Sequence, residues 1–399
     1  MLKAVDQLLA RGLLSEASLL LTEIRSLPIS RGAGVALIAR EAEVFLAKGD
    51  AQSALSVCSD LPATASDARR LGAGEPDWAL AVALKHDALC KMYSGEAPDV
   101  SQLESVIRCE MADPMVRHYA AFIGARAALW ADDIDELERY YRLATEITAA
   151  TRRTLTFGFV ELLFLGERGG RDAFLQSCRQ QSLLEGSFAP LRHIRQSRRF
   201  KAIGMRMHGM IDEAAQLLHD EYSLSVDLEQ RELAAGCAET LAFLFLDQGL
   251  TEEALKWVER GLEMQGEGSH ALRRKGLRHA FLRAQLQEGR PDVVVAQMRA
   301  EIDAIQEDSL RSRRIGELLT FCVAAIQSGE GVGGILPILD AAAAELVRII
   351  PSFQLDYPAE MLIRAYSLLS HPRGAEVHQV VVRRRRDSFD RPLAPSIAI

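Results

Sequence analysis

Along residues 238–262 apolar side chains recur every three to four positions, stop at the polar run Asp247-Gln248-Gly249, and resume in the same rhythm. That spacing predicts a helix ending near 248, a tight turn, and a second helix over 252–264. Gly249 can take the left-handed conformation that ends a helix without a Cβ penalty. Thr251 stands where an N-cap is expected, with Glu252 and Glu253 in the first turn, where the helix dipole favours acids. Ala254 is small enough to let the second helix lie close against the first. The unit reads as two antiparallel helices, and alternating strand patterns are nearly absent elsewhere.

The unit recurs. Glycine followed five residues later by alanine occurs at Gly12/Ala17, Gly49/Ala54, Gly209/Ala214 and Gly249/Ala254. Gly289, with Val294 in the alanine slot, and Gly329 continue the phase, so that 209, 249, 289 and 329 are each 40 residues apart. Weaker members are Gly95, Ala131 before Asp132-Asp133, Gly170, and Ser370 with Ala375. Seven residues before the turn stands a small residue in several units: Ala42, Ala88, Gly124, Ala202, Ala242 and Cys322. Facing small residues let paired helices approach closely. The count comes to about ten hairpins.

In chain order the pattern predicts helices over 1–11, 13–26, 33–48, 50–60, 79–94, 99–110, 114–130, 133–148, 154–167, 171–184, 191–208, 212–221, 229–248, 252–264, 270–287, 292–306, 309–327, 333–349, 359–369 and 374–382. Residues 62–77 form the longest loop, with Trp78 at its exit as an anchor that packs the loop onto the next helix. Gly331 to Gly334 loosens one turn, and Val380-Val381-Val382 has strand propensity at the end of the last helix.

A small residue mid-way along the first helix, glycine before the turn and alanine early in the second helix resemble the tetratricopeptide repeat. The resemblance covers nearly the whole chain. The 40-residue unit is longer than the usual 34 and is similar to the sensor solenoids of MalT-like bacterial regulators; it also overlaps in length with HEAT and armadillo arrays. The implied fold is all-α: a right-handed superhelical αα-hairpin solenoid over 1–382, followed by a basic, proline-containing tail over 383–399. In such arrays the first helices line a concave groove that takes peptide ligands.

Composition fits this expectation. Aromatic residues make up 6% of the chain and the net charge is −8. A compact single core rarely grows past roughly 250–300 residues, whereas a solenoid escapes that bound because each repeat touches only its neighbours. No apolar run is long enough for a transmembrane span, and the N-terminus has no signal-peptide pattern. The six cysteines are dispersed and read as small apolar residues in a reducing cytoplasm. In the repeat register the chain starts inside a first helix, which predicts an apolar flank covered by self-association or by a missing partner domain.

Catalytic motifs are not found: there is no phosphate-binding loop, dinucleotide fingerprint, His-Glu-x-x-His or Cys-x-x-Cys. No cofactor or metal is expected. The acids Asp132, Asp133, Asp135 and Glu136 sit where a helix N-terminus favours them. The chemistry that stands out is basic. Residues 191–208 carry Arg192, Arg195, Arg198, Arg199, Lys201 and Arg206 without an acid; residues 270–283 carry Arg273, Arg274, Lys275, Arg278 and Arg283 likewise. Given the resemblance, the expected groove residues are Arg192, Arg195, Arg199, Arg206, Lys275, Arg278, His279 and Arg283, facing an acidic protein segment. The alternative is an inter-repeat ion ladder, Arg199–Glu239–His279. Arg383, Arg384, Arg385 and Arg386 read as a solvated run, with nucleic acid as the sharper alternative. Three function classes follow: a non-enzymatic interaction scaffold or adaptor; the sensor array of a bacterial signal-transduction or transcription regulator; and an enzyme with an unrecognised site.

Overall fold

The computed structural model describes residues 1–92, 99–131, 133–151, 191–266, 271–302, 311–330, 332–348 and 356–377, with isolated positions between 172 and 179 and at 379. The expected helices over 154–167 and 171–184, the turns at Gly95 and Gly170, Gly331, the valine run and the tail from Arg383 lie wholly or largely outside the described residues. Every regular element among the described residues is a helix. They are α1 Leu2–Ala10, α2 Leu14–Arg25, α3 Arg31–Lys48, α4 Ala51–Val57, α5 Ala65–Arg70, α6 Glu75–Met92, α7 Ser101–Ile107, α8 Pro114–Trp130 and α9 Ile134–Thr151. After them come α10 Leu191–Met207, α11 Ile211–Asp227, α12 Arg231–Asp247, α13 Thr251–Glu263, α14 Ala271–Gln287, α15 Pro291–Arg299, α16 Arg311–Gln327, α17 Val332–Arg348 and α18 Asp356–Leu368.

The turns obey one rule. At Gly249, φ is +75°; its N–H donates to Leu246 O at 3.1 Å and the next N–H, of Leu250, donates to Phe245 O at 2.9 Å. That pair of bonds is a Schellman motif, which satisfies two carbonyls the helix end would otherwise orphan. The same two bonds form after residues 12, 49, 209, 289 and 329, each with positive φ. Ser370, the degenerate member, takes φ +52° and closes the same motif through His371 N to Tyr366 O at 2.9 Å.

Most helices touch their successors, and the first helices also touch one another in series: α3 with α6, α6 with α8, α10 with α12, α12 with α14, α14 with α16, and α16 with α18. Being packed on several sides, α12 buries residues all round its axis, including Leu233, Ala234, Cys237, Ala238, Leu241 and Ala242. The outer helix α13 buries only Ala254, Trp257, Val258 and Gly261, the i, i+3, i+4, i+7 stripe of an amphipathic helix. The small positions Ala42, Ala88, Ala202, Ala242 and Cys322 are fully buried, and Gly124 lies against the ring of Tyr140. Apolar side chains gather in four clusters in chain order: Val5 to Ala47, Val35 to Phe200, Ala202 to Ala284, and Leu282 to Val377.

Three expectations need correcting. Thr251 is not the N-cap: Leu250 occupies that position without a side-chain cap, because the Schellman donor and the next helix's cap are the same residue. The stretch 62–77 is not all loop, since it contains α5, capped by Thr64, and α6 begins at Glu75. Ala375 is exposed, and Gly374 takes the close position, against Tyr366. Trp78 is the expected anchor: it is buried, and its indole N–H donates to Pro62 O at 2.8 Å.

Candidate functional site

Helix α12 carries Glu232, Gly236 and Glu239 at i, i+4 and i+7, on one face. Its neighbours α10 and α14 bring Arg199 and Arg273 to that face. Gly236 makes the notch they share: a Cβ there would stand 2.8 Å from Arg199 Nε and 3.0 Å from Arg273 Cζ. Arg273 Nη2 lies 3.0 Å from Glu232 Oε1, and its Nη1 bonds Glu239. Arg199 Nη2 is 3.8 Å from Glu239 Oε2 and makes no hydrogen bond among the described residues.

The network continues into α6 and α8. Lys91 Nζ is 3.6 Å from Glu232 Oε2 and 3.0 Å from Asp87 Oδ2. Asp87 also accepts from the Tyr119 hydroxyl at 2.6 Å and from Arg126 Nη2 at 2.8 Å. Asp87, Lys91, Glu232, Arg273, Arg199 and Arg126 are all buried. Ions this deep must be paired, since desolvation penalises each by several kcal/mol. Burial first, and then the neighbouring Arg273, pull the Arg199 guanidinium down to about 10. Arg273 is opposed by the same burial, but Glu239 and Glu232 outweigh it and hold its pKa above the ordinary value. For Arg126, Asp87 likewise overcomes burial.

A second cluster forms around Arg195, which is 1% exposed. Its Nε donates to Glu221 Oε2 at 3.2 Å, its Nη1 to Gln230 Oε1 at 3.1 Å, and its Nη2 to Ser225 Oγ at 2.8 Å and Glu221 O at 3.0 Å. Arg198 holds the other oxygen of Glu221 at 2.6 Å. A third cluster joins Arg206 and Arg283 through Asp247, at 2.7 and 3.4 Å. Both guanidiniums flank the Phe243 ring, and Arg283 also stacks 3.8 Å from the centroid of Tyr357.

The expected groove residues therefore divide. Arg195, Arg199 and Arg283 are buried against internal acids and do not lie on an open face. Arg206 is half-buried on Asp247. Lys275 is half-buried, and Arg278 pairs with Glu301 and donates to Gln297 O at 3.2 Å. The side chain of Arg192 lies outside the described residues. The ladder expectation is corrected in its last rung: Glu239 sits between Arg199 and Arg273, while His279 packs between the rings of Phe243 and Tyr357. Sequence reasoning singled out neither Asp87, Lys91 nor Arg126. They share their helices with other charges, such as Lys85 in α6 and Arg117 in α8, so no signal in the sequence marks them out.

Other chemistry is limited. The six thiols are all buried; burial pushes Cys58 up to about 11 and Cys237 and Cys322 up to about 12, far from thiolate reactivity. No group of three metal-ligating side chains occurs among the described residues. Asp133 Oδ1 accepts from Glu136 N at 3.0 Å, so this part of the acidic cluster caps α9. A cleft of about 340 Å³ lies between α16 and α17, lined by Arg314, Leu318, Ile338, Ala341, Ala342 and Glu345. No described helix is long and apolar enough to cross a membrane. The chain matches no known family model, and no curated protein matches it.

Proposed function

We propose that the chain is a non-enzymatic interaction scaffold: a right-handed, tetratricopeptide-like solenoid of about ten hairpins that takes an acidic protein segment beside α10, α12 and α14. The recurring Schellman turns, the close small residues and the serial contacts of first helices support the solenoid reading. The observation that carries the ligand class is Arg199, whose guanidinium sits beside a second cation, Arg273, with Glu239 no nearer than 3.8 Å and no hydrogen bond among the described residues. A carboxylate placed there would relieve the repulsion and satisfy the donors.

The test is fluorescence anisotropy with a labelled glutamate-rich dodecapeptide and a lysine-rich control. The glutamate peptide should bind, with affinity falling as salt rises, and Arg199→Gln should weaken it about tenfold or more. Lys275→Gln, at a half-buried position, gives a second reading less coupled to stability. Binding of both peptides alike, or no loss in either variant with melting unchanged, overturns the proposal.

A further inference from the structure

Two pairs of guanidiniums straddle α12, one after the other along its axis. At the first rung, Arg199 of α10 and Arg273 of α14 share Glu239, and Arg273 also reaches Glu232 at 3.0 Å. At the second rung, Arg206 of α10 and Arg283 of α14 share Asp247, at 2.7 and 3.4 Å. Arg199 and Arg206 stand at i and i+7 on α10, on one face. Glu239, Phe243 and Asp247 stand at i, i+4 and i+8 on α12 and form one stripe. Helical rise separates the rungs by about 10–12 Å along α10 and α12, and by about 15 Å along α14.

Between the rungs the lining is aromatic. Phe243 lies midway between the two shared acids, with His279 at 6.1 Å and Tyr357 a further 5.4 Å from His279. These three rings and Glu239 are half-buried, and Asp247 is exposed, so solvent reaches both rungs and the stretch between them. Each rung sets two cations on one shared carboxylate. The Nε atoms of Arg199, Arg273 and Arg283 are buried and find no hydrogen-bond partner among the described residues. Cations held this deep gain from a further acid, which supplies both charge and acceptors.

We propose that this row reads an extended peptide segment of the pattern acid–x–apolar–x–acid, with one carboxylate on each rung and the apolar side chain over Phe243. An extended chain turns alternate side chains to the same side and rises about 3.3 Å per residue. Acids four residues apart therefore stand about 13 Å apart, within the span of the rungs, and the residue midway points at the rings. A helical segment would need its acids about seven apart, and a helix of that length is marginal in water. The proposal rests on the acidic-partner reading above for its ligand class; the spacing is what it adds.

Fluorescence anisotropy on the full chain tests it with three labelled dodecapeptides of one composition, each holding two glutamates and one leucine among serines and glycines. The glutamates are four apart with leucine midway, adjacent, or seven apart. The first peptide should bind about tenfold more tightly than either of the others. In Arg206→Gln, at a half-buried position, exchanging one of its glutamates for glutamine should cost nothing further, while exchanging the other still costs about tenfold. The spacing comparison uses the wild-type chain, so it stands whether or not the variant folds. Equal binding of the three peptides overturns the row, and leaves the acidic-partner reading in place if the glutamate-rich dodecapeptide binds. Tightest binding with the glutamates seven apart overturns the extended pattern. A folded Arg206→Gln in which both glutamates cost as much as in wild type overturns the second rung. If neither these peptides nor the glutamate-rich one binds, the acidic-partner reading fails and the row fails with it.

Discussion

Arg195 spends its donors inside the fold, on Glu221, Gln230 and Ser225, and is almost wholly enclosed. Removing one member of a buried pair leaves the other charge stranded, so Arg195→Met should destabilise the chain by about 3–5 kcal/mol in urea unfolding. A surface arginine would cost almost nothing. His86 supplies a pH test. Burial is the main force holding its pKa below the ordinary 6.5, and Lys85 adds to it, while Gln102 at 3.4 Å and Asp99 act the other way. In the unfolded chain it regains about 6.5, so acidification protonates the unfolded state first. Its contribution is therefore complete above that value and is lost as pH falls through the interval below it. Stability measured at about pH 7.5 and 5.5 should drop on acidification, and His86→Gln should flatten part of that drop. An identical slope in the variant would show that other groups set the acid limit.

At the scale of elements, the same turn recurs because one residue does two jobs. The residue after the glycine closes the Schellman ring and also stands at the N-cap position of the next helix, as Leu13, Asp50, Met210, Leu250 and Arg290 do. Ala254 sits at the crossing of α12 and α13 with no exposed surface, among Ala238, Leu241 and Trp257. Ala254→Leu should overpack the crossing and cost roughly 1–3 kcal/mol, seen as a lower melting temperature. An unchanged melting temperature would mean the crossing is loose. This layer of the fold is legible in the sequence because its determinants are local: glycine, the small residue seven before it, and the small residue five after. It fails where another residue can do the job, as at Gly374, which takes the place expected of Ala375. The charged interior is less legible. Its partners are separated by about one repeat, with Arg126 and Asp87 39 apart, Arg195 and Gln230 35, and Arg273 and Glu232 41. Which acid a given arginine meets depends on how neighbouring helices rotate against each other, and hydrophobic periodicity sets that rotation only to within a few tens of degrees. Hence the basic helices stand out in the sequence, while the notch at Gly236 and the third rung at Arg273 come only with the packed structure.

For the whole molecule, the arrangement of apolar clusters sets how it should come apart. The last cluster, from Leu282 to Val377, is built from consecutive helices, and it meets the preceding cluster only along α14. The first, from Val5 to Ala47, has no apolar members in common with it. Where each part packs chiefly on its neighbours, damage should spread outward by nearest-neighbour coupling instead of collapsing the whole at once. Leu362 is fully buried in the last cluster, and Leu362→Ala should cost roughly 2–5 kcal/mol there. In native-state hydrogen exchange, amides of 315–368 should lose protection by that amount, those of α14 by less, and those of α1 to α3 hardly at all. The loss can reach the first helices through the apolar packing of Phe122 on Phe200 and through the contacts of α3 with α12 and α6 with α14, and it should fade with each neighbour passed. An equal loss of protection along the entire chain would show instead that the molecule unfolds as a single cooperative unit.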